Sequence, residues 1–205
     1  NGTSAESRLV NNATENGIAC IVAAGNDGKR RIASPGSADG AITIGSTDDS
    51  DTINRTDDFM ADYSNSGPRE SDNDGDDWDE LKPDITAYGS GIYSASAATG
   101  TSLPGTPRPM AEASYESKDG TSMATPLVSG VVALMLQANP DLTPYEIKDI
   151  LRNSSEEKGS ATETSISDRW NDEWGFGLLD ASCAVDMALE RNCTPLSSGG
   201  GIILP

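Results

Sequence analysis

Apolar residues along the chain fall into short blocks parted by polar, glycine-broken stretches, and the block lengths alternate between those of strands and helices. Residues 3–16 read as a helix stopped by Gly17. Residues 18–24 read as a buried strand, ended by Gly25-Asn26-Asp27-Gly28. A second short strand is predicted over 41–45, followed by an acidic, polar stretch over 47–62 and a long loop over 64–80. Ile85 and the pair Ile92-Tyr93 mark further extended segments, and 97–117, rich in Gly, Pro, Ser and Thr, predicts loop.

The strongest helical pattern opens at Gly120-Thr121-Ser122 and runs to Ala138. It is apolar nearly all round, which predicts a buried central helix. Asn139-Pro140 ends it. Thr143-Pro144-Tyr145-Glu146 predicts another helix, with Thr143 as N-cap, Pro144 at the first position and Glu146 closing a capping box. Residues 175–179 predict a strand and 181–190 a last helix, with a tail packed by Ile202, Ile203 and Leu204 or frayed. Strands alternating with helices predict an α/β fold with a mainly parallel sheet.

Composition narrows the partners. The 205 residues carry a formal net charge of −19, which argues against nucleic acid and against an anionic membrane surface. The apolar run 128–136 is short and broken by Ser129 and Gly130, so no membrane span is predicted. Cys183 and Cys193 bracket a predicted helix about 15 Å long, whereas a disulfide needs Cα atoms within about 7 Å. That spacing weighs against their pairing unless the chain turns sharply after Asn192, and it leaves the redox compartment open.

Two positions have chemical potential. Ser122 follows a glycine at a helix N-terminus, where free N–H groups and the helix dipole favour a nearby negative charge. It is either a nucleophile or a simple cap. Asn26 ends a buried strand at a glycine break, at the sheet edge where α/β proteins build their sites. It is either a carboxamide donor to an oxyanion or a turn asparagine.

Taken together, Gly120-Thr121-Ser122-Met123-Ala124-Thr125-Pro126 and Ala23-Ala24-Gly25-Asn26 resemble the subtilisin-like serine proteases, the subtilases. Ser34-Pro35-Gly36, Tyr63-Ser64-Asn65-Ser66-Gly67-Pro68, Lys82-Pro83-Asp84 and Gly175-Phe176-Gly177-Leu178-Leu179-Asp180 are similar to other landmarks of that family, in its order. The resemblance implies a three-layer subtilisin-like fold, incomplete because N-terminal strands and helices are missing. Residues 1–193 would be the C-terminal part of one catalytic domain and 194–205 a tail. It implies Ser122 as nucleophile and Asn26 with the Ser122 N–H as oxyanion hole. Thr121 would be a weaker helper, and Ala23, Ala24, Gly25 and Gly36 would line an apolar substrate pocket. It further implies a cis Pro35, a peptide or protein substrate, and a secreted location.

The chain contains no histidine, so it cannot by itself supply the imidazole of a Ser-His-Asp mechanism. In subtilisins the Asp and His precede the Ser, whereas in α/β-hydrolases they follow it. The absence therefore fits a subtilase whose N-terminal part is missing, and that part becomes an expected partner. Its lack predicts self-association through exposed apolar surface. The alternative is a catalytically dead relative serving as a peptide-binding or structural module. No cofactor is required for the chemistry. Asp72, Asp74 and Asp76, alternating around Gly75, form either a solvated acidic loop or a Ca²⁺ site of oxygen ligands.

Overall fold

The computed structural model describes residues 2–28, 30–96 and 115–195. The predicted loop over 97–117 falls outside these except for its last three residues, and the tail does so from 196 onward. The chain begins with α1 (Ala5–Glu15), capped by Ser4, whose hydroxyl accepts from Ser7 N–H at 3.0 Å. Gly17, at φ +86°, ends it as predicted. The helix is tied to the loop before the second strand: Thr14 Oγ1 donates to Gly40 O at 3.2 Å and Asn11 Nδ2 to Asp39 at 2.8 Å.

The main sheet contains β1 (Ile21–Ala23), β2 (Ile42–Asp48), β3 (Phe59–Met60) and β4 (Ile85–Tyr88). β2 pairs in parallel with β1 (Ile21 opposite Ile42) and with β4 (Ile44 opposite Ile85), and the short β3 is antiparallel to its far end. β2 runs three residues beyond the predicted strand, to Asp48. The added residues Ser46 and Thr47 are polar yet fully buried. Residues 175–179 join this sheet by an isolated bridge, Leu178 to Thr86, and a second bridge ties Leu178 to Glu156 outside the sheet. Gly175 and Gly177, at φ +64° and +135°, press their backbone onto the carbonyls of Pro83 and Glu156, which precludes regular strand geometry. β5 (Ile92–Ala95) and β6 (Tyr115–Lys118) pair antiparallel in a separate two-stranded sheet. β6 lies in the segment predicted as loop. Its residues are mostly exposed, so no burial pattern announced it.

Three helices follow: α2 (Thr121–Ala138), α3 (Pro144–Ser154) and α4 (Ala181–Ala188). α2 packs across β1, β2 and β4, and α4 packs against α2 and α3. The core joins Ile42, Ile44 and Ile85 of the sheet to Ala124, Val128, Val132 and Met135 of α2, closed by Leu151 and Trp170. All-round burial of α2 is not observed. Leu127 and Leu134 are 41% and 51% exposed, because sheet and α4 cover only one side of the helix. By length and composition α2 could cross a membrane, but its Ala124–Met135 stripe is occupied by the sheet.

The capping box of α3 forms as predicted. Thr143 Oγ1 accepts from Glu146 N–H at 3.2 Å, and the Glu146 carboxylate accepts from Thr143 N–H at 2.8 Å. Thr143→Ala is expected to cost about 1 kcal/mol in a urea or thermal unfolding curve. No loss of stability would show that the cap is dispensable.

Cys183 and Cys193 form a disulfide, with Cα atoms 5.4 Å apart, contrary to the expectation from spacing. α4 stops at Ala188, earlier than the predicted 190, and Glu190 takes φ +57°. The chain therefore reverses in time to return Cys193 to the first turn of the helix. Cys20 is free and half-buried.

Candidate active site at the head of α2

Strand β1 ends at the head of α2, and the two segments meet through Asn26. Its Oδ1 accepts from Thr121 N–H at 2.8 Å and from the Thr121 hydroxyl at 2.8 Å. The Thr121 hydroxyl also accepts, at 3.4 Å, from Gly25 N–H. Thr121 is fully buried, so it holds the carboxamide in place from behind. Asn26 and Ser122 are exposed.

The N-terminus of α2 leaves four backbone N–H groups without intrahelical partners. Three have acceptors here. Gly120 N–H donates to Gly89 O at 2.9 Å, Thr121 N–H to Asn26, and Met123 N–H to Gly120 O at 2.8 Å. The fourth belongs to Ser122, and among the described residues neither its N–H nor its hydroxyl is hydrogen-bonded. Gly120 adopts φ +149°, which only glycine takes readily, and this bends the chain sharply into the helix. Pro126 has no N–H to give to the Ser122 carbonyl.

The four predicted pocket residues come together. Ala33 N–H donates to Ala24 O at 2.9 Å, which lays residues 33–36 beside β1. A Cβ on Gly36 would stand 2.8 Å from Ala23 O, so only a glycine fits against β1 at this point. Thr43 Oγ1 donates to Gly36 O at 2.6 Å and anchors it from the sheet. The Ser34–Pro35 bond is cis as expected, and so are Gly67–Pro68 and Lys82–Pro83. Beyond Ser122, the paired strands β5 and β6 and Met123, Pro126 and Leu127 of α2 line an open cavity of about 320 Å³.

Behind the sheet, Asp84 is fully buried among three cations. Its Oδ1 accepts from Arg152 Nε and Nη2 at 2.9 and 2.6 Å and faces Lys148 at 3.8 Å. Its Oδ2 accepts from Lys82 at 2.9 Å and from Thr43 N–H at 2.6 Å. Burial opposes the Asp84 charge, but Lys148, Lys82 and Arg152 outweigh it and hold the carboxyl well below the usual range. Burial pushes the Lys82 and Lys148 ammonium groups down despite Asp84. These directions pull oppositely on one ion pair. The carboxylate's is the firmer, because the Arg152 guanidinium beside it does not deprotonate.

The candidate calcium ligands are not gathered. Asp72 turns to Arg69, whose buried Nη2 lies 3.2 Å from it, 3.0 Å from Asp39 and 2.6 Å from Asp79. Among the described residues, the carboxylates close enough to share a cation are those of Asp39, Asp72 and Asp79, and a guanidinium stands in their midst. Burial, with Asp39 and Asp74 adding to it, pushes the Asp79 carboxyl up to about 6 against the pull of Arg69. Asp74 and Asp76 are exposed and accept from the N–H groups of Asp76 and Trp78, at 2.8 and 3.0 Å. Alternation in sequence could not disclose Arg69 as the partner.

Sequence reasoning also passed over Asn65. Its side chain packs behind Gly25 in the strand–turn that carries Asn26. The signal available was its place inside the Tyr63–Pro68 landmark, to which no role was attached.

Comparison with known proteins identifies the relatives of this chain. The model of the subtilase family matches residues 1–177. Serine protease AprX of Bacillus subtilis is 36% identical over 184 residues, covering 87% of this chain and 37% of AprX. Subtilisin Savinase of Lederbergia lenta is 30% identical over 178 residues, covering 87% of this chain and 50% of that protein. Among solved structures, a protease of Pseudoalteromonas arctica superposes with a TM-score of 0.62 at 29% identity, covering 88% of this chain and 46% of that one. The chain thus spans half or less of the length of these relatives. With the family model matched over most of its residues and the serine motif at the head of α2 beside the strand ending in Asn26, the chain belongs to the subtilase family.

Proposed function

We propose that this chain is the serine-bearing part of a subtilisin-like endopeptidase domain, with Ser122 as nucleophile and its N–H together with Asn26 Nδ2 as oxyanion hole. The observation that carries the proposal is the double capture of Asn26 Oδ1 by Thr121. With that oxygen occupied, the carboxamide has only its Nδ2 to offer, beside a Ser122 N–H that has no acceptor among the described residues. Two donors converging where an acyl oxygen becomes negative are what acyl transfer requires.

The aspartate and histidine come from a further segment of the domain, since this chain has no imidazole. That imidazole takes the Ser122 proton as Oγ attacks the scissile carbonyl. It then returns the proton to the leaving amine, and water releases the acyl group by the same route. The substrate is a peptide or protein. Ala23, Ala24, Gly25 and Gly36 offer neither bulk nor charge and favour an apolar side chain before the scissile bond. The same further segment covers the edge of β1 that no described strand pairs and the Leu127–Leu134 side of α2. Without it, those surfaces favour self-association. The chemistry needs no cofactor, and the charge of −19 disfavours nucleic acid and anionic membranes as partners. A secreted location is supported by the disulfide and by relatives named as extracellular proteases.

Fluorophosphonate labelling tests the proposal. The complete enzyme is expected to be labelled on Ser122 and the Ser122→Ala variant to stay unlabelled, while the isolated chain hydrolyses no peptide. Undiminished labelling of the Ser122→Ala variant would assign the nucleophile elsewhere.

A further inference from the structure

We propose that Asn65 is the positioning residue of the oxyanion-binding turn, setting the direction of the Asn26 side chain without touching substrate. The inference rests on the function proposed above and adds a residue to it.

Asn65 lies between β3 and β4, is 1% exposed, and reaches the turn across some forty positions of sequence. Its backbone N–H donates to Gly25 O at 3.0 Å. Its Oδ1 accepts from Asp27 N–H at 2.9 Å, and its Nδ2 donates to Ala24 O at 3.4 Å. The Gly25 carbonyl and the Asp27 N–H belong to the two peptide units on either side of the Asn26 Cα. One residue therefore holds both, and with them the backbone angles that aim the Asn26 side chain. Thr121 then fixes the far end of that side chain. The neighbouring pair Gly28 N–H to Tyr63 O, at 2.8 Å, continues the lacing but contacts no peptide unit of Asn26.

Gly25 is the complement of this brace. A Cβ there would lie 2.3 Å from Asn65 Nδ2, and the residue sits at φ +114°. The Asn65 carboxamide fills the space left by the absent side chain. A turn so determined holds its donor within the tolerance that catalysis needs, since a misplacement of about 1 Å can cost about 10²-fold.

The test is a double-mutant cycle on the complete enzyme, measured as kcat and KM for a chromogenic peptide. Parent, Asn26→Ala, Asn65→Ala and the double variant are compared at concentrations corrected for the folded fraction. Asn65→Ala is expected to lower kcat about tenfold with KM little changed. In the Asn26→Ala background the same substitution is expected to change kcat by less than about twofold, because the donor it positions is gone. Equal losses in both backgrounds would mean that Asn65 only stabilises the fold and would overturn the proposal, as would an unchanged kcat in Asn65→Ala. Should Asn65→Ala lose its cooperative melting transition, Asn65→Ser runs the same cycle with the same two outcomes. A parent enzyme that fluorophosphonate does not label would overturn the protease assignment itself, a result read before the cycle begins.

Discussion

In the complete enzyme, Asn26→Ala is expected to lower kcat by about 10²–10³-fold and leave KM nearly unchanged. That range belongs to the oxyanion-hole asparagine of subtilisin, a member of the same family, and is carried over from it. The structure supplies the reason it should apply. Asn26 is exposed, and its carboxamide is anchored at the Oδ1 end by two donors from Thr121, each at 2.8 Å. Such a group loses no orientational freedom when charge develops on the substrate oxygen, so its contribution falls on the transition state and appears in kcat. Asn26→Ala also strands the Thr121 N–H and hydroxyl at the head of α2, where they turn to solvent or to the vacated space. Asn26→Asp separates the two effects: it keeps an acceptor for Thr121 and brings negative charge to where an oxyanion forms, so its kcat should fall at least as far. A loss of kcat below about tenfold for Asn26→Ala, or an effect confined to KM, would remove Asn26 from the oxyanion hole.

The second large effect falls on stability. Asp84→Ala is expected to destabilise the fold by about 3–5 kcal/mol, because it leaves Lys82, Lys148 and Arg152 buried around an absent carboxylate. A domain of this size is stable by about 5–15 kcal/mol, so the variant should unfold at much lower urea or temperature. Asp84 connects β2 through Thr43, α3 through Lys148 and Arg152, and the approach to β4 through Lys82, so the loss reaches the sheet that carries Asn26. The pH dependence follows from its depressed pKa. The stabilising contribution is complete above the unfolded carboxyl value near 3.9 and disappears only as pH falls from there through the lower folded value. Parent and Asp84→Ala should therefore differ most at neutral pH and converge below about pH 4. A gap that stayed constant into acid, or a variant as stable as the parent, would show that the three cations are satisfied without Asp84.

Local patterns were legible where one stretch of chain decided its own conformation. The α3 capping box, the end of α1 at Gly17 and the span of α2 each followed from neighbours within a few positions. Apolar runs too short for helices disclosed β1 and β2, although β1 is confined to Ile21–Ala23 and half-buried, with Ile18 58% exposed, where a buried strand over 18–24 was expected. The two segments of the candidate site were legible for a related reason. Gly120-Thr121-Ser122 and Ala24-Gly25-Asn26 each demand unusual backbone, and such demands leave a signature in glycine and small residues.

Only the tertiary structure decided what depends on contacts between distant positions. The turn at Glu190 brought Cys193 back to Cys183, where helix length alone suggested separation. Arg69 drew Asp72 away from Asp74 and Asp76, and Asn65 braced a turn some forty positions earlier. The exposure of Leu127 and Leu134 likewise depended on which elements lie against α2. Periodicity and capping record interactions within about a turn of helix or a pair of strand residues, and those the amino-acid order determined by itself. Which buried charge meets which partner, and which apolar side stays open, are set by the packing of whole elements, and no short-range pattern encodes that packing.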